Sequence, residues 1–432
     1  MRPQLKNTAW ERVGDELRLV NDPRDQLIVT DPDGTVEKLL HLLSEGGRTT
    51  VELAGELALD EADVRAAVEA FDAQRLLEDG DRLGGLEPAD AERYFSNLAF
   101  FESFGTLERS REDLQERLRH AHVLVLGTGG LNSNTIPHLA GLGVGTMTVL
   151  DRDTVEARNF ARQYLYRWAD IGARKAERAA EWIRAFDPGI AVEAIDADIE
   201  GPEQVAELIR RTGPDVVASG VDRPNRIDLW VNEACVRAGV PFVRGGMAVT
   251  TGTVWSVHPG VSACRACVPA DPSNPADFAD PDDPAIASAI AANRLFGRLP
   301  RPNRGIGPVA GLLGAFGAFE VLRYLTGFEP PAYAGRPLTV DFARGCATSQ
   351  SEWPRDPDCA VCGGGDPCED RDQAGREHPT DPAHPPGFLT RARAALRCRR
   401  SAAPSMPVPS SAGSTRWPPL GTLETDNGHL YG

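Results

Sequence analysis

Apolar and polar positions change rhythm several times along the chain, and each change marks an element. ELRLV (16–20) and QLIVT (26–30) are short strand candidates around an Asn-Asp-Pro turn. Three helical periodicities follow, over 35–45, 50–57 and 61–77, with Thr50 and Asp60 as caps of the second and third. Residues 81–121 connect, with Phe95, Phe100, Phe101 and Phe104 packing a helix on the core before a second helix at 109–119. From His122 the pattern repeats strand and helix. Residues 122–126 form an apolar run short enough for a buried parallel strand, and a helix opens near Leu131. Strands at 146–150, AVEAI (191–195) and DVVASG (215–220) alternate with helices at 173–186, 202–211 and 225–238. A strand and an antiparallel extension follow within 232–260, then a helix at 305–327 ended by Gly327, and a last strand, LTVDF (338–342).

Two strands before three helices predict a small winged-helix-like α+β domain over 1–80. The repeated βαβ units predict an α/β, doubly wound, Rossmann-like sheet with an antiparallel extension over 122–365. Residues 268–306, rich in Pro, Asp and Ala, read as a solvated excursion. The Gly/Pro/Ser/Arg-rich segment 366–432 reads as a disordered tail.

Composition narrows the function classes. A chain of 432 residues has room for two or three full cores. Its net charge of −17 argues against non-specific binding to nucleic acid or anionic membrane. The polar N-terminus has no signal-peptide core, and no run of about 18 apolar residues is expected to span a bilayer. A soluble, cytoplasmic protein is the expectation. Residues 1–80 hold 9 Lys/Arg against 18 Asp/Glu, a net −9 that repels phosphates, so a DNA-binding role for this domain is poor. A peptide clamp that accepts an added strand at its sheet edge fits better, beside the plainer reading of a generic capping domain.

The candidate chemistry begins at the first buried strand. Gly127, Gly129 and Gly130 follow it and lead into a helix. Glycines let backbone approach a phosphate, and free amides at the helix start attract anions. The sixth position of the glycine pattern is Asn132, expected to keep the turn because Asn tolerates left-handed backbone. Asp151 ends the next strand 21 positions after Gly130, where a nucleotide-binding unit places its ribose-holding acid. Asp153, Asn159, Arg162, Gln163 and Lys175 follow. Two cations suit a site that cuts a triphosphate, since negative charge moves onto the leaving pyrophosphate.

With DxDxVExxNxxRQ…DIGxxKAE in place, the chain resembles the ThiF/MoeB/HesA family, relatives of the ubiquitin-activating enzymes that adenylate carboxylates. Ala157-Arg158 departs from it where the family often has Ser before the Asn. The resemblance covers roughly 90–365. It implies ATP as substrate, Arg162, Lys175 and Asn159 on the developing charge, and Asp222 holding Mg2+. Asp222 read alone is equally an N-cap for the helix 225–238. The resemblance also implies a homodimer in which Arg93, from an RYxR-type segment, reaches the partner subunit's ATP site. Cys264, Cys267, Cys359 and Cys362 form two CxxC pairs with 91 residues between them, a strong pattern for a closed structural Zn2+ site. Cys235 reads as core. No cysteine lies between Cys267 and Cys346, so no thioester with the enzyme is expected.

Three functions compete. The protein adenylates a ribosomal peptide, as the resemblance to microcin C-type peptide-adenylating enzymes with an extra N-terminal domain implies. It adenylates a ubiquitin-like sulfur carrier. Or it is a non-catalytic module presenting a leader peptide to a second modifying enzyme.

Overall fold

The computed structural model describes residues 1–268, apart from 23–24, 83–84, 225 and 249, and residues 305–363. Most of the excursion and the whole predicted tail, with Cys368 and Cys398, lie outside the described residues.

Three antiparallel strands, β2 (Ala9–Val13), β3 (Glu16–Asp22) and β4 (Asp25–Thr30), pair in that order. β1 (Pro3–Leu5) pairs instead with β5 (Leu77–Asp79), which follows α1 (Thr35–Glu45), α2 (Thr50–Leu57) and α3 (Glu61–Ala73). β1 and β2 were not foreseen: four of the five side chains of β2 are exposed, so no alternation marks it. The third helix ends at Ala73, short of the expected 77. Arg75 turns the chain with φ +59°, and Leu77 leaves the helix to pair with Leu5. Both leucines are buried, so tertiary pairing wins over helical periodicity. The cap of α2 is Thr49 rather than Thr50. Its hydroxyl accepts from the Glu52 amide, and Glu52 accepts from the Thr49 amide. Asp60 caps α3 as expected. Gly34 gives α1 no side-chain cap, so buried Asp31 accepts from the amides of Val36 and Glu37. Arg12 of β2 ion-pairs with both Asp31 and Glu37, which ties the sheet to α1.

Next come α4 (Pro88–Arg93), α5 (Phe95–Glu102) and α6 (Arg111–His120). Phe101 is fully buried, but Phe95 is 71% exposed, which corrects the expectation that all four phenylalanines pack inward.

The large sheet holds β6 (His122–Leu126), β7 (Thr146–Leu150), β8 (Ala191–Ile195), β9 (Val216–Ser219), β10 (Phe242–Ala248), β11 (Thr251–Val257), β12 (Leu338–Asp341) and β13 (Ala347–Gln350). Its order is β13-β12-β11-β10-β9-β6-β7-β8. Strands β8, β7, β6, β9 and β10 are parallel and the other three, β11 to β13, extend the sheet antiparallel. Alternation along β6 explains the double winding. Val123 and Val125 enter one core with α7 (Asn132–Leu142) and α8 (Lys175–Phe186). Leu124 and Leu126 enter the other, with α9 (Pro202–Thr212) and α10 (Ile227–Ala238). The sheet's order reverses at β6, and the crevice at its carboxyl edge there is where such sheets bind ligands. β13 was not anticipated.

α11 (Gly307–Thr326) corrects one expectation. It is long and apolar enough to cross a membrane, yet 56% of that window is buried here. It packs on α7, β10 and β11. Small residues allow this: a Cβ on Gly314 would meet Asn134 Cβ at 2.9 Å.

Candidate active site

The glycine loop sits at the carboxyl end of β6. Gly127 adopts φ +79°, and a Cβ there would meet Val221 at 2.9 Å, so only glycine fits. Among the described residues, the amides of Gly129 and Gly130 donate to no protein acceptor. Leu131, the N-cap of α7, makes no side-chain cap bond. The loop therefore offers donors to an anion. Asn132 is not left-handed. It is the first helical residue, and its Nδ2 lies 3.1, 2.8 and 3.2 Å from the carbonyls of Leu126, Gly127 and Ala218. It fastens the loop to the ends of β6 and β9.

Asp151 is buried at the end of β7. Its Oδ2 accepts the Thr128 amide at 2.7 Å and the Thr128 hydroxyl at 2.9 Å, while Oδ1 accepts the Asp153 amide at 2.8 Å. An ionised carboxylate accepts about four bonds, so Oδ1 keeps a lone pair for a ligand hydroxyl. The Tyr166 hydroxyl lies 2.8 Å from both Thr128 oxygens. Burial pushes that phenol up, so it stays a donor. Thr128 and Tyr166 were missed: the first is an unspecified position of the glycine pattern, and the second lies 38 residues away.

The downstream polar residues gather around the loop. Lys175, buried at the start of α8, donates to Asp153 at 3.0 Å. Asn159 accepts the Glu156 amide through Oδ1, and its carbonyl accepts the amides of Arg162 and Gln163, each at 3.0 Å. That short turn places Arg162 against Gly130, where a Cβ would meet Arg162 Cδ at 3.0 Å. Burial lowers the Arg162 pKa, opposed by the nearby charge of Asp222. Asp222 is exposed beyond β9, and α10 begins at Ile227 with Arg226 as N-cap, so the capping reading of Asp222 fails. Gln163 Oε1 and Ser219 Oγ are buried without a partner among the described residues. Ser219 ends β9 beside the loop and was not singled out from sequence.

Arg93 lies elsewhere. It pairs with Asp187 at 3.3 Å and donates to the carbonyls of Ala140 and Gly141, at the end of α7 remote from the glycine loop. The second arginine of an RYxR pattern is Ser96 in this chain.

The four cysteines converge beside α10. Sγ separations are 3.7 Å for Cys264–Cys359, 3.9 Å for Cys264–Cys267 and 3.3 Å for Cys267–Cys362. Four thiolates about 2.3 Å from one tetrahedral zinc lie about 3.8 Å apart, so the set fits zinc. Asn232 Nδ2 reaches Cys264 Sγ at 3.6 Å while its Oδ1 accepts the Arg265 amide, supporting the cluster from outside. Cys235 is fully buried, and burial pushes its thiol up, which makes it inert core.

Comparison with known proteins shows the family. Residues 102–361 match the ThiF family. The SAMP-activating enzyme E1 of Haloferax volcanii is 32% identical over 261 residues, 60% of this chain and 87% of that protein. Molybdopterin-synthase adenylyltransferase of Escherichia coli is 30% identical over 256 residues, 58% of this chain and 90% of that protein. Solved structures of E. coli MccB, one with ATP and one with N-formylated MccA, superpose with TM-score 0.63 at 19% and 20% identity. Each covers 84% of this chain and 100% of the MccB chain. The chain therefore belongs to the ThiF family and is an adenylyltransferase of it.

Proposed function

We propose that this enzyme adenylates a carboxylate of a peptide that residues 1–80 hold. The observation that carries the reading lies outside the family match. Residues before 102 build a separate hydrophobic core from β1, β3, β4 and α1 to α3, joined by Leu107, and their sheet ends in two edge strands, β2 and β4. A winged-helix-like unit with an open edge suits strand addition by an extended peptide. The fold likeness to MccB covers 84% of the chain, more than residues 102–361 alone make up.

The chemistry then follows from the crevice. A peptide carboxylate attacks the α-phosphate of ATP, forming a C–O–P bond as the bond to the β-phosphate breaks and pyrophosphate leaves. The ionised nucleophile needs no base, so the protein positions and neutralises. Gly127, Gly129 and Gly130 cradle phosphate, and Asp151 takes the ribose hydroxyl. Arg162, Lys175, Asn159, Asp153 and Gln163 line the reacting charge. Asp222, an exposed carboxylate near Arg162, would suit Mg2+, which prefers one or two carboxylates plus phosphate oxygens. Exposed Phe95 and Trp168, each 71% accessible, suit a homodimer. With Arg93 engaged in its own chain, delivery to a partner's site requires it to leave Asp187.

A second reading, adenylation of a ubiquitin-like carrier, is favoured by the names of the curated relatives, which include a sulfur carrier protein adenylyltransferase. ATP–pyrophosphate exchange, with candidate peptides and a Gly-Gly-ended carrier supplied separately, tests both. Peptide-dependent exchange that is lost on deleting 1–80, with ATP binding retained, is the expected result. Exchange with the carrier alone overturns the peptide reading, and exchange with neither leaves a leader-presenting role. No thiol-labile adduct is expected in the intact mass after turnover; one on Cys346 overturns that.

A further inference from the structure

A cavity of about 800 Å3 opens at the end of the sheet opposite the glycine loop. Ala121 and Pro241, next to the amino ends of β6 and β10, form part of its wall. A strand of this length separates the two ends by roughly 16 Å, so the cavity is distinct from the adenylation crevice. In a chain of net charge −17, four arginines line this space: Arg75, Arg109, Arg117 and Arg323.

Two of them are held without a carboxylate. Arg109 donates to the Gly327 carbonyl at 2.6 Å and Arg117 to the Thr326 carbonyl at 2.8 Å, both at the end of α11. Among the described residues neither is in an ion pair. Their Nη1 atoms lie 3.7 and 3.8 Å from the point a Cβ on Gly327 would occupy, so two like charges converge there. Among the described residues Arg109 Nε is buried without a partner. Capping a helix C-terminus explains one N–H of each guanidinium and leaves the others without a protein acceptor among the described residues. Arg75 pairs with Glu329 at 2.7 Å and Arg323 with Glu320 at 3.3 Å. Asp215, also on the wall, accepts the His122 amide. Burial and the neighbouring arginines lower the Arg109 pKa, which an anion between them would relieve.

We propose that this cavity binds a small, multiply charged anion of the phosphate class, gripped by Arg109 and Arg117. Guanidinium forks match phosphate oxygens pairwise, and the volume is that of a small-molecule site. Arg75 follows α3 while the other three arginines belong to residues beyond 102, so the ligand would tie the N-terminal unit to the family domain.

The test titrates the full chain with inorganic pyrophosphate, against sodium chloride of equal ionic strength and against citrate. Pyrophosphate is expected to raise the Tm by roughly 3 °C or more near saturation. The part of the shift that survives in Lys175→Ala should disappear in Arg109→Gln/Arg117→Gln, which retains ATP–pyrophosphate exchange through the adenylation crevice. Hydrogen exchange on the unaltered protein should show protection around Gly327 and residues 105–110, which keeps the test open if the double variant does not fold. No shift beyond the chloride control, an equal shift with citrate, loss of the shift in Lys175→Ala, or no protection at Gly327 would each overturn the proposal.

Discussion

Thr128 donates both its amide and its hydroxyl to one oxygen of Asp151, at 2.7 and 2.9 Å. The end of β7 thus holds the glycine loop in shape before any ligand arrives. Asp151→Ala should abolish measurable ATP binding, because it removes the ribose acceptor and frees the loop together. Thr128→Val keeps the amide bond and loses the hydroxyl, so a smaller loss of about 1–2 kcal/mol in stability is expected. Calorimetric titration with ATP and denaturant unfolding check the pair. Unchanged ATP affinity in Asp151→Ala would place the nucleotide site elsewhere.

Lys175 and Arg162 are cations at the edge of the loop, one held by Asp153 and the other beside Asp222. Removing a group that stabilises transition-state charge typically costs about 10²–10³ in rate. Lys175→Ala and Arg162→Ala should each lower ATP–pyrophosphate exchange by that order while the fold, read by circular dichroism, is kept. A change under threefold in both would remove them from the reaction.

The cysteine cluster should bind one zinc per chain, with no open position for chemistry. Elemental analysis should find one equivalent, and chelation or Cys359→Ser should lower Tm by more than about 5 °C, since zinc binding at such a site is folding free energy. A zinc-free preparation with the same Tm would refute this.

Lys6 is buried between the N-terminal unit and the loop before α6, donating to the carbonyls of Arg75 and Gly105. Burial lowers its pKa from 10.5 to about 8. Between these values the unfolded chain binds the proton and the folded chain does not, so this group makes stability rise with pH from about 8 to about 10.5. The rise is at most on the order of 3 kcal/mol, and ionising tyrosines oppose it at the upper end. The difference in unfolding free energy between the unaltered protein and Lys6→Met, followed from pH 7 to 10, isolates the slope. A flat difference would show that Lys6 stays charged.

Much of this protein was legible as spacing along the chain. The apolar run of β6, the glycines after it, the 21-residue step to Asp151 and the paired CxxC motifs are local patterns. Each is imposed by one element's own geometry, so periodicity and covalent reach were enough to read them. Tertiary structure decided what depends on packing between distant residues. Leu77 left a helical pattern because Leu5 offered it a strand partner. Asn132 became a three-carbonyl tie rather than a left-handed turn residue because β9 ends beside β6. Tyr166 reaches Thr128 only through the turn that Asn159 builds. Arg109 and Arg117 meet over Gly327, more than 200 positions away, because α6 and α11 pack together. A one-dimensional pattern carries the period of a helix or strand, but which side chains converge is set by how those elements pack in three dimensions.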